Sequence, residues 1–455
     1  MTAEPLAPLD LAFWHIETPG HPLHLGALGI FTAPAPGGGA AAARHAAELL
    51  AARAAAVPGL RMRIRERMLP PGSAVRVPDP GFDPLGHVRL APPAADFHTA
   101  AGPLMAAPLG RERPPWEAHV IPGAPGGGSF AVLFKFHHAL ADGMRALALA
   151  AALLDRGAAP DGLRRTPPPP PGPRDLLGAL APHRLPEAVR GGLRGVAHAA
   201  AEAARALDIG AAVARGTWDV RSTPALAAAP TGARATAGVR LDLDEVHRVR
   251  KVTGGTVNDV LIALVAGALR RWLDERGDGS TGVAPRALIP VSRRRPRTAQ
   301  PGGNRLSGYL LRLPVAEPDP VARLGAVRAA MDRNKEAGAH RGAGAVALLA
   351  DRLPPLGHRI GGPLIAQAAR LLFDILVTSV PLPGLGLRLG GCPLAEVYPL
   401  APLARGQSLA VAISTYQGSV HYGLLADAAA VPDLPALAAA VPRELAALQR
   451  ATHTG

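Results

Sequence analysis

A single cysteine, Cys392, occurs in the 455 residues, so the chain can form no internal disulfide and no multi-cysteine zinc or iron–sulfur site. A reducing compartment fits that scarcity. Lysine is almost as rare: Lys135, Lys251 and Lys335 are the three, and arginine supplies the rest of the 49 basic residues. These stand against 35 acidic residues for a formal charge of +14. Ala, Gly, Pro and Arg are enriched together along the whole chain, as a GC-rich coding sequence alone would produce, so the charge does not argue for nucleic acid. Arginine suits phosphates and carboxylates, so an anionic cofactor or a membrane surface accounts for it at least as well.

Long apolar runs are also missing. The best C-terminal stretch, Leu364 to Val380, is broken by Gln367, Arg370 and Asp374 and falls short of the ~18 residues of a membrane span. The opening MTAEPLAPLD has neither the basic start nor the apolar segment of a secretory signal, so the cytoplasm is the expected address. No GxSxG elbow, Walker loop or HExxH is present. GLGLRLGG at 384–391 lacks dinucleotide-loop spacing and reads as a turn.

What is there divides into two halves. TPPPPPGP, from Thr166 to Pro173, favours polyproline geometry and marks a domain exit. An Ala-rich stretch with scattered arginines follows, so 166–235 reads as a Pro-rich then helical connector between domains at 1–165 and 236–455. WEAHVI and SFAVLFKFHH, separated by PGAPGGG, read as a β-hairpin, with a helix from Met144 to Leu154 after it. Val257 to Leu273 carries apolar residues at three-four spacing behind a Thr256/Asp259 capping signal, and the alternation around Gln417-Gly418 predicts a second hairpin. Strands alternating with helices in both halves give an α/β fold class.

The densest chemistry is HHALADG, residues 137–143, where a strand hands over to a helix that Asp142 can cap. Adjacent histidines at a strand end point apart, so His137 and His138 do not readily share a metal with Asp142, and the proline in HPLH (His21, His24) argues against a helical metal pair. Two readings stay open. One imidazole takes a proton from a hydroxyl near neutral pH, or both histidines simply satisfy hydrogen bonds under the hairpin.

HHALADG resembles the HHxxxDG signature of the acyl-CoA-dependent acyltransferases that include chloramphenicol acetyltransferase and nonribosomal peptide condensation domains. Further segments narrow the resemblance: PLAPLDLAFWHIETPGHPLHLGALGIF, PLGRERPPWEAHVI, GGTVNDVLIALVAGALRRWLDERG, ALIPVSRR, GNRLSGYLLRLP and LAEVYPLAPLARGQSLAVAISTYQGSVHYGLLAD. In this order they resemble the bacterial wax ester synthase/diacylglycerol acyltransferase family, nearly end to end. The resemblance implies two chloramphenicol-acetyltransferase-like domains with a tunnel active site between them, and acyl transfer from acyl-CoA to diacylglycerol or a long-chain alcohol.

It further implies His138 as general base beside His137, a structural Asp142 paired with an arginine, and Gly143 in the tight turn. Trp116 (after Pro114 and Pro115), Asn258, Asp259 and Asn304 would shape the site or bind substrate, the alternative readings being Trp116 as simple core and Asn258 with Asp259 as first-turn capping groups. No cofactor is implied, since acyl-CoA is a substrate. The expected partners are acyl-CoA, the acceptor, and a membrane or lipid-droplet surface touched peripherally, with no nucleic acid. The rival readings are a carrier-dependent condensation-type acyltransferase and a non-catalytic lipid-surface protein. Gly110, Pro115, Ser379 and Leu382 depart from the family pattern of Asp, Leu, Asn and Gly, and bear on tunnel shape and substrate choice.

Overall fold

A computed structural model describes residues 3–156, 226, 231–292, 306–337, 356, 359, 373–382 and 386–453. In the N-terminal half the elements run β1 (Glu4–Pro5), α1 (Pro8–Ile16), β2 (His24–Thr32), α2 (Gly39–Ala54), β3 (Met62–Glu66), β4 (Ala74–Pro78), β5 (Val88–Leu90), α3 (Phe97–Ala106), β6 (Trp116–Pro122), β7 (Ser129–His137), α4 (Gly143–Leu153) and β8 (Asp155–Arg156). The C-terminal half contributes β9 (Arg234–Asp242), α5 (Leu243–Thr253), α6 (Val257–Glu275), β10 (Arg286–Ser292), β11 (Leu306–Arg312), α7 (Pro320–Ala337) and β12 (Ile375–Pro381). It ends with β13 (Leu387–Leu389), β14 (Cys392–Leu400), β15 (Leu409–Tyr416), β16 (Ser419–Asp427) and α8 (Leu434–His453).

The hairpin predicted before the histidines is β6 and β7, in register from Trp116 opposite Phe136 to Pro122 opposite Phe130. Strand alternation gives β7 two faces. Phe130, Val132, Phe134 and Phe136 pack with Ala46 and Leu50 of α2 and Leu149 and Leu153 of α4. Ala131 and Leu133 belong to the opposite core, with Leu28 and Met105. Lys135 and His137, next in that alternation, are therefore carried on the second face.

The long helix begins as its capping signal predicts: Asp259 N–H donates to Thr256 Oγ1, and Thr256 N–H donates back to Asp259 Oδ2 (2.8 Å). Its apolar residues from Val260 to Leu273 share one core with β9, β15, β16 and α8. Gln417 and Gly418 have φ of 49° and 74°, the left-handed pair that joins two strands tightly, and β15 and β16 pair across them. Of the 384–391 stretch read as a turn, Leu387–Leu389 is instead strand β13, paired to β8 on one side and β14 on the other, and Gly390-Gly391 make the turn.

Three sheets result among the described residues: seven strands in the order β5-β6-β7-β2-β14-β13-β8, six in the order β11-β10-β12-β15-β16-β9, and three in the order β1-β4-β3. The halves exchange structure, since β13 and β14 leave the C-terminal half to complete the N-terminal sheet, with Tyr398 opposite Leu28. The described residues of both halves belong to one compact unit. Glycine permits the tightest approaches across it. A methyl group at Gly423 would collide with the Pro399 carbonyl, and one at Gly102 would come within 2.5 Å of the Arg234 carbonyl. The first residues of β9 lie inside the connector expected over 166–235, and most of the rest of that connector is outside the described residues.

Candidate active site

β7 ends at His137, and the chain turns through His138-Ala139-Leu140-Ala141 into α4. Backbone bonds fix the turn: His137 N–H donates to the Pro115 carbonyl, His138 N–H to Leu23 and Ala141 N–H to His137, at 2.9, 2.9 and 3.2 Å. Asp142 is the N-cap of α4, its Oδ1 accepting from the Arg145 amide at 2.7 Å.

His137 is held from both ends of its ring. Its Nδ1 accepts from the Ala139 amide at 2.9 Å, which leaves the proton on Nε2. Nε2 lies 3.2 Å from Glu17 Oε2, at ion-pair distance but off the hydrogen-bond direction. Glu17 also accepts from the Leu23 amide (3.0 Å) and from Arg111 Nη2 (3.3 Å). Burial raises the Glu17 carboxyl, but the His137 contact, the Leu23 amide and Arg111 together bring it down to about 2. The Trp14 ring meets His137 edge-on at 5.1 Å, with the Arg111 guanidinium 4.4 Å over that indole.

His138 is buried and stacks on Phe13, with ring centroids 4.0 Å apart. Burial above all, with the neighbouring His137 adding to it, lowers its pKa to about 4, against the raising effects of a hydrogen bond to its own backbone and, more weakly, of Asp142. Its imidazole is therefore neutral at physiological pH. Helix α1 thus supplies a wall to each histidine, Phe13 to one and Trp14 to the other, and none of its residues was singled out by sequence reasoning.

The arginine brought to the motif is Arg76 of β4, which donates to the Ala139 carbonyl at 2.8 Å and to Asp10 Oδ2 at 2.5 Å. Its side chain is 2 % exposed and that of Asp10 1 %. A second buried cation, Lys135, donates to the Leu104 and Ala107 carbonyls at 2.7 and 2.8 Å and ties the C-terminal end of α3 to β7. Its pKa falls to about 8, chiefly through burial. His24, opposite His137 in the sheet, bonds the Met105 carbonyl at 2.7 Å. Burial lowers its pKa to about 3.

The C-terminal half reaches the same place. A methyl group on Gly143 would lie 3.9 Å from Val380 Cγ2 of β12. The adjacent Ser379 donates its hydroxyl to Asn258 Oδ1 at 2.7 Å. Asn258 at the head of α6 is therefore linked through β12 to the turn after the histidines. Asp259 beside it is spent on the capping box through Oδ2, with Oδ1 buried and without a hydrogen bond among the described residues. Trp116, opposite Phe136, occupies the sheet face away from His137 and shares a buried cluster with Leu140 and Ala141 of the turn, its indole donating to the Leu60 carbonyl (2.7 Å) and stacking on His87 at 4.7 Å. Those are the contacts of a core anchor. Asn304 is outside the described residues.

Comparison with known proteins identifies the family. The family model described as "Wax ester synthase/diacylglycerol acyltransferase catalytic domain" matches residues 6–261, and "WS/DGAT C-terminal domain" matches 302–449. A probable diacylglycerol O-acyltransferase of Mycobacterium tuberculosis is 32% identical over 475 residues, covering 98% of this chain and 99% of that one. Among solved structures, the wax ester synthase/diacylglycerol acyltransferase of Marinobacter aquaeolei VT8 superposes with a TM-score of 0.70 at 22% identity, covering 99% of this chain and all of that one. The starter condensation domain of rhizomide synthetase, at TM-score 0.50 and 14% identity over 99% of this chain and 95% of its own, shares the fold alone. The fold is thus the two-domain, chloramphenicol-acetyltransferase-like α/β fold. This chain belongs to the wax ester synthase/diacylglycerol acyltransferase family, a family of acyltransferases.

Proposed function

We propose that this acyltransferase moves a long-chain acyl group from acyl-CoA to diacylglycerol, making triacylglycerol, and that it accepts long-chain alcohols as a second class of acceptor. The observation that carries the reading is His138: a buried, neutral imidazole stacked on Phe13 at the turn that both halves of the protein reach. His138 takes the proton of the acceptor hydroxyl as its oxygen attacks the thioester carbonyl. The tetrahedral oxyanion then collapses, the new C–O bond is kept, the C–S bond breaks, and CoA leaves as a thiolate. The imidazolium returns its proton to that thiolate. A ring whose proton affinity is lowered by burial gives it up readily, because an ordinary thiol pKa is about 8.5.

The step balances without a covalent acyl-enzyme, a metal or a cofactor. His137 is a positioning residue, fixed between the Ala139 amide and Glu17 so that the turn presents the next ring. Asp142 and Gly143 set the start of α4, and Asn258 with Ser379 borders the acceptor side. In this reading residues 1–165 carry the base, 236–455 the opposing wall, and 166–235 connects them. Among the described residues no single helix is long and apolar enough to cross a membrane. A water-insoluble acceptor then requires a cytoplasmic enzyme to work at a membrane or lipid-droplet surface.

The test is CoA release from palmitoyl-CoA with diacylglycerol, hexadecanol or no acceptor, with lipid products separated chromatographically. Wild type is expected to make triacylglycerol and a smaller amount of wax ester, and His138→Ala to make neither. Folded wild-type protein that forms no acyl ester from any acceptor would refute the proposal.

A further inference from the structure

The hairpin joining β3 to β4 ends in RMLPPG, and its two apolar tip residues stand out in solvent: Met68 is 92 % exposed and Leu69 78 %. They are the most exposed large apolar side chains among the described residues, and they are adjacent. The strand leading to them alternates Met62 and Ile64, buried, with Arg63, half-buried 3.8 Å from Asp79, and Arg65, exposed, and Arg67 follows in solvent. The acid within this run, Glu66, is occupied by the Trp14 indole N–H at 3.1 Å and faces Arg111 at 3.9 Å. The result is an apolar point with two exposed arginines, Arg65 and Arg67, just behind it, a composition that suits shallow insertion into an anionic lipid interface.

Its base connects directly to the candidate site. Ile64 and Ala74 share a buried cluster with Trp14 and Ala139, Arg76 of β4 bonds the Ala139 carbonyl, and His15 Nε2 bonds the Gly72 carbonyl at 2.8 Å. The tip therefore stands on the elements that hold His137 and His138, at most about 17 Å of extended chain from Ala74. We propose that Met68 and Leu69, with Arg65 and Arg67, form a docking point for an anionic phospholipid surface that sets the reacting histidine beside the bilayer from which a lipid acceptor enters. The part concerning acceptor entry rests on the function proposed above; the lipid contact itself does not.

Co-sedimentation of the full-length protein with vesicles separates the two. Wild type is expected to bind phosphatidylglycerol-rich vesicles, to release as salt rises, and to bind pure phosphatidylcholine weakly. Met68→Ser with Leu69→Ser, and separately Arg65→Glu with Arg67→Glu, are each expected to weaken binding at least ~10-fold, because two side chains leave the interface in one and the charge facing the lipid reverses in the other. Both pairs lie at an exposed tip, and circular dichroism checks that they fold. Turnover of diacylglycerol presented in those vesicles should fall in parallel, while turnover of palmitoyl-CoA with a short water-soluble alcohol stays at the wild-type rate. Equal vesicle binding by wild type and both variants overturns the proposal, and so does a wild type that does not bind phosphatidylglycerol, whatever protein the tip then captures. Tip-dependent binding in a protein that acylates no acceptor upholds the docking point and refutes the catalytic reading instead.

Discussion

The two sides of the candidate site are built to different standards of rigidity. On the N-terminal side the histidine turn is cross-braced by buried charge: Arg76 joins Asp10 to the Ala139 carbonyl, and Glu17 joins His137, Leu23 and Arg111. On the C-terminal side the described link is one hydroxyl–amide bond, Ser379 to Asn258, at the exposed end of β12. Buried ion pairs are costly to break from one side, whereas a single exposed hydrogen bond contributes about 1 kcal/mol. On the function proposed above, the first side would carry the fixed chemistry and the second an adjustable acceptor fit. Changes on the braced side should lower turnover or stability for every acceptor, and changes on the other should alter which acceptor is preferred.

The largest effect expected is at the ring itself. His138→Ala should cut kcat about 10²–10⁴-fold with diacylglycerol and hexadecanol alike, measured as CoA release. A loss confined to one acceptor would break the comparison. Next comes the brace: Arg76→Ala removes the cation from a buried pair and should cost about 3–5 kcal/mol of stability, read as a lowered urea midpoint. A midpoint unchanged from wild type would show that Asp10 and Ala139 do not depend on it.

Much of the scaffold was legible because its signals are local. The β6–β7 hairpin, the capping box of α6 and the Gln417-Gly418 turn each declare themselves within a few neighbouring residues. The two histidines and Asp142 were legible for the same reason, as one contiguous string. What surrounds them was not. Asp10 and Arg76 are 66 residues apart, and nothing in α1, nine residues long, marks Phe13, Trp14 or the following Glu17 as neighbours of a turn beyond residue 136. Tertiary pairing brings them in, and one sequence holds no trace of it. The pairing of β14 with β2 was hidden likewise, and three-residue β13 passed for turn because the glycines flanking it dominate a stretch too short to alternate. Trp116 was marked by a motif position, and the strand register puts it in the core on the face away from His137, in one cluster with Leu140 and Ala141 of the turn.

Acidity sharpens the comparison further. As the proposed base, His138 would have to be neutral to act, and since burial lowers it to about 4, kcat/KM should stay flat as pH falls through 6.5, where an exposed histidine would titrate. An acid limb centred near 6.5 would show a solvated ring. Stability runs differently. His24 and His138 bind protons in the unfolded chain from about 6.5 downward but resist them in the fold until about 3 and 4, so each loses about 1.4 kcal/mol per pH unit over that window. Urea midpoints at pH 7.5 and 5.5 check this, the lower pH giving the weaker protein. Glu17→Gln keeps the shape of the His137 contact and removes its charge, and is expected to lower kcat roughly 10-fold with little change in KM. Because Glu17 sits at about 2 in the fold, its contribution to stability is complete above pH 4.5 and drains away below it. The variant should therefore lose less stability than wild type between pH 4.5 and 3.

The smallest effect is the most informative about the adjustable side. Ser379→Ala removes the bond to Asn258 at an exposed position, where water replaces the lost partner, so the urea midpoint should move by less than about 1 kcal/mol. Total turnover should stay within about threefold of wild type, because none of the groups bracing His137 and His138 is touched. The ratio of triacylglycerol to wax ester is where the change should appear. Asn258, released from β12, borders the place where Val380 meets Gly143, and acceptors of different girth pass that point differently. Products from equimolar diacylglycerol and hexadecanol, separated on one plate, measure the ratio directly. A ratio identical to wild type, with His138→Ala inactive toward both acceptors, would place acceptor choice away from the Ser379–Asn258 link and confine this side of the site to holding the two halves together.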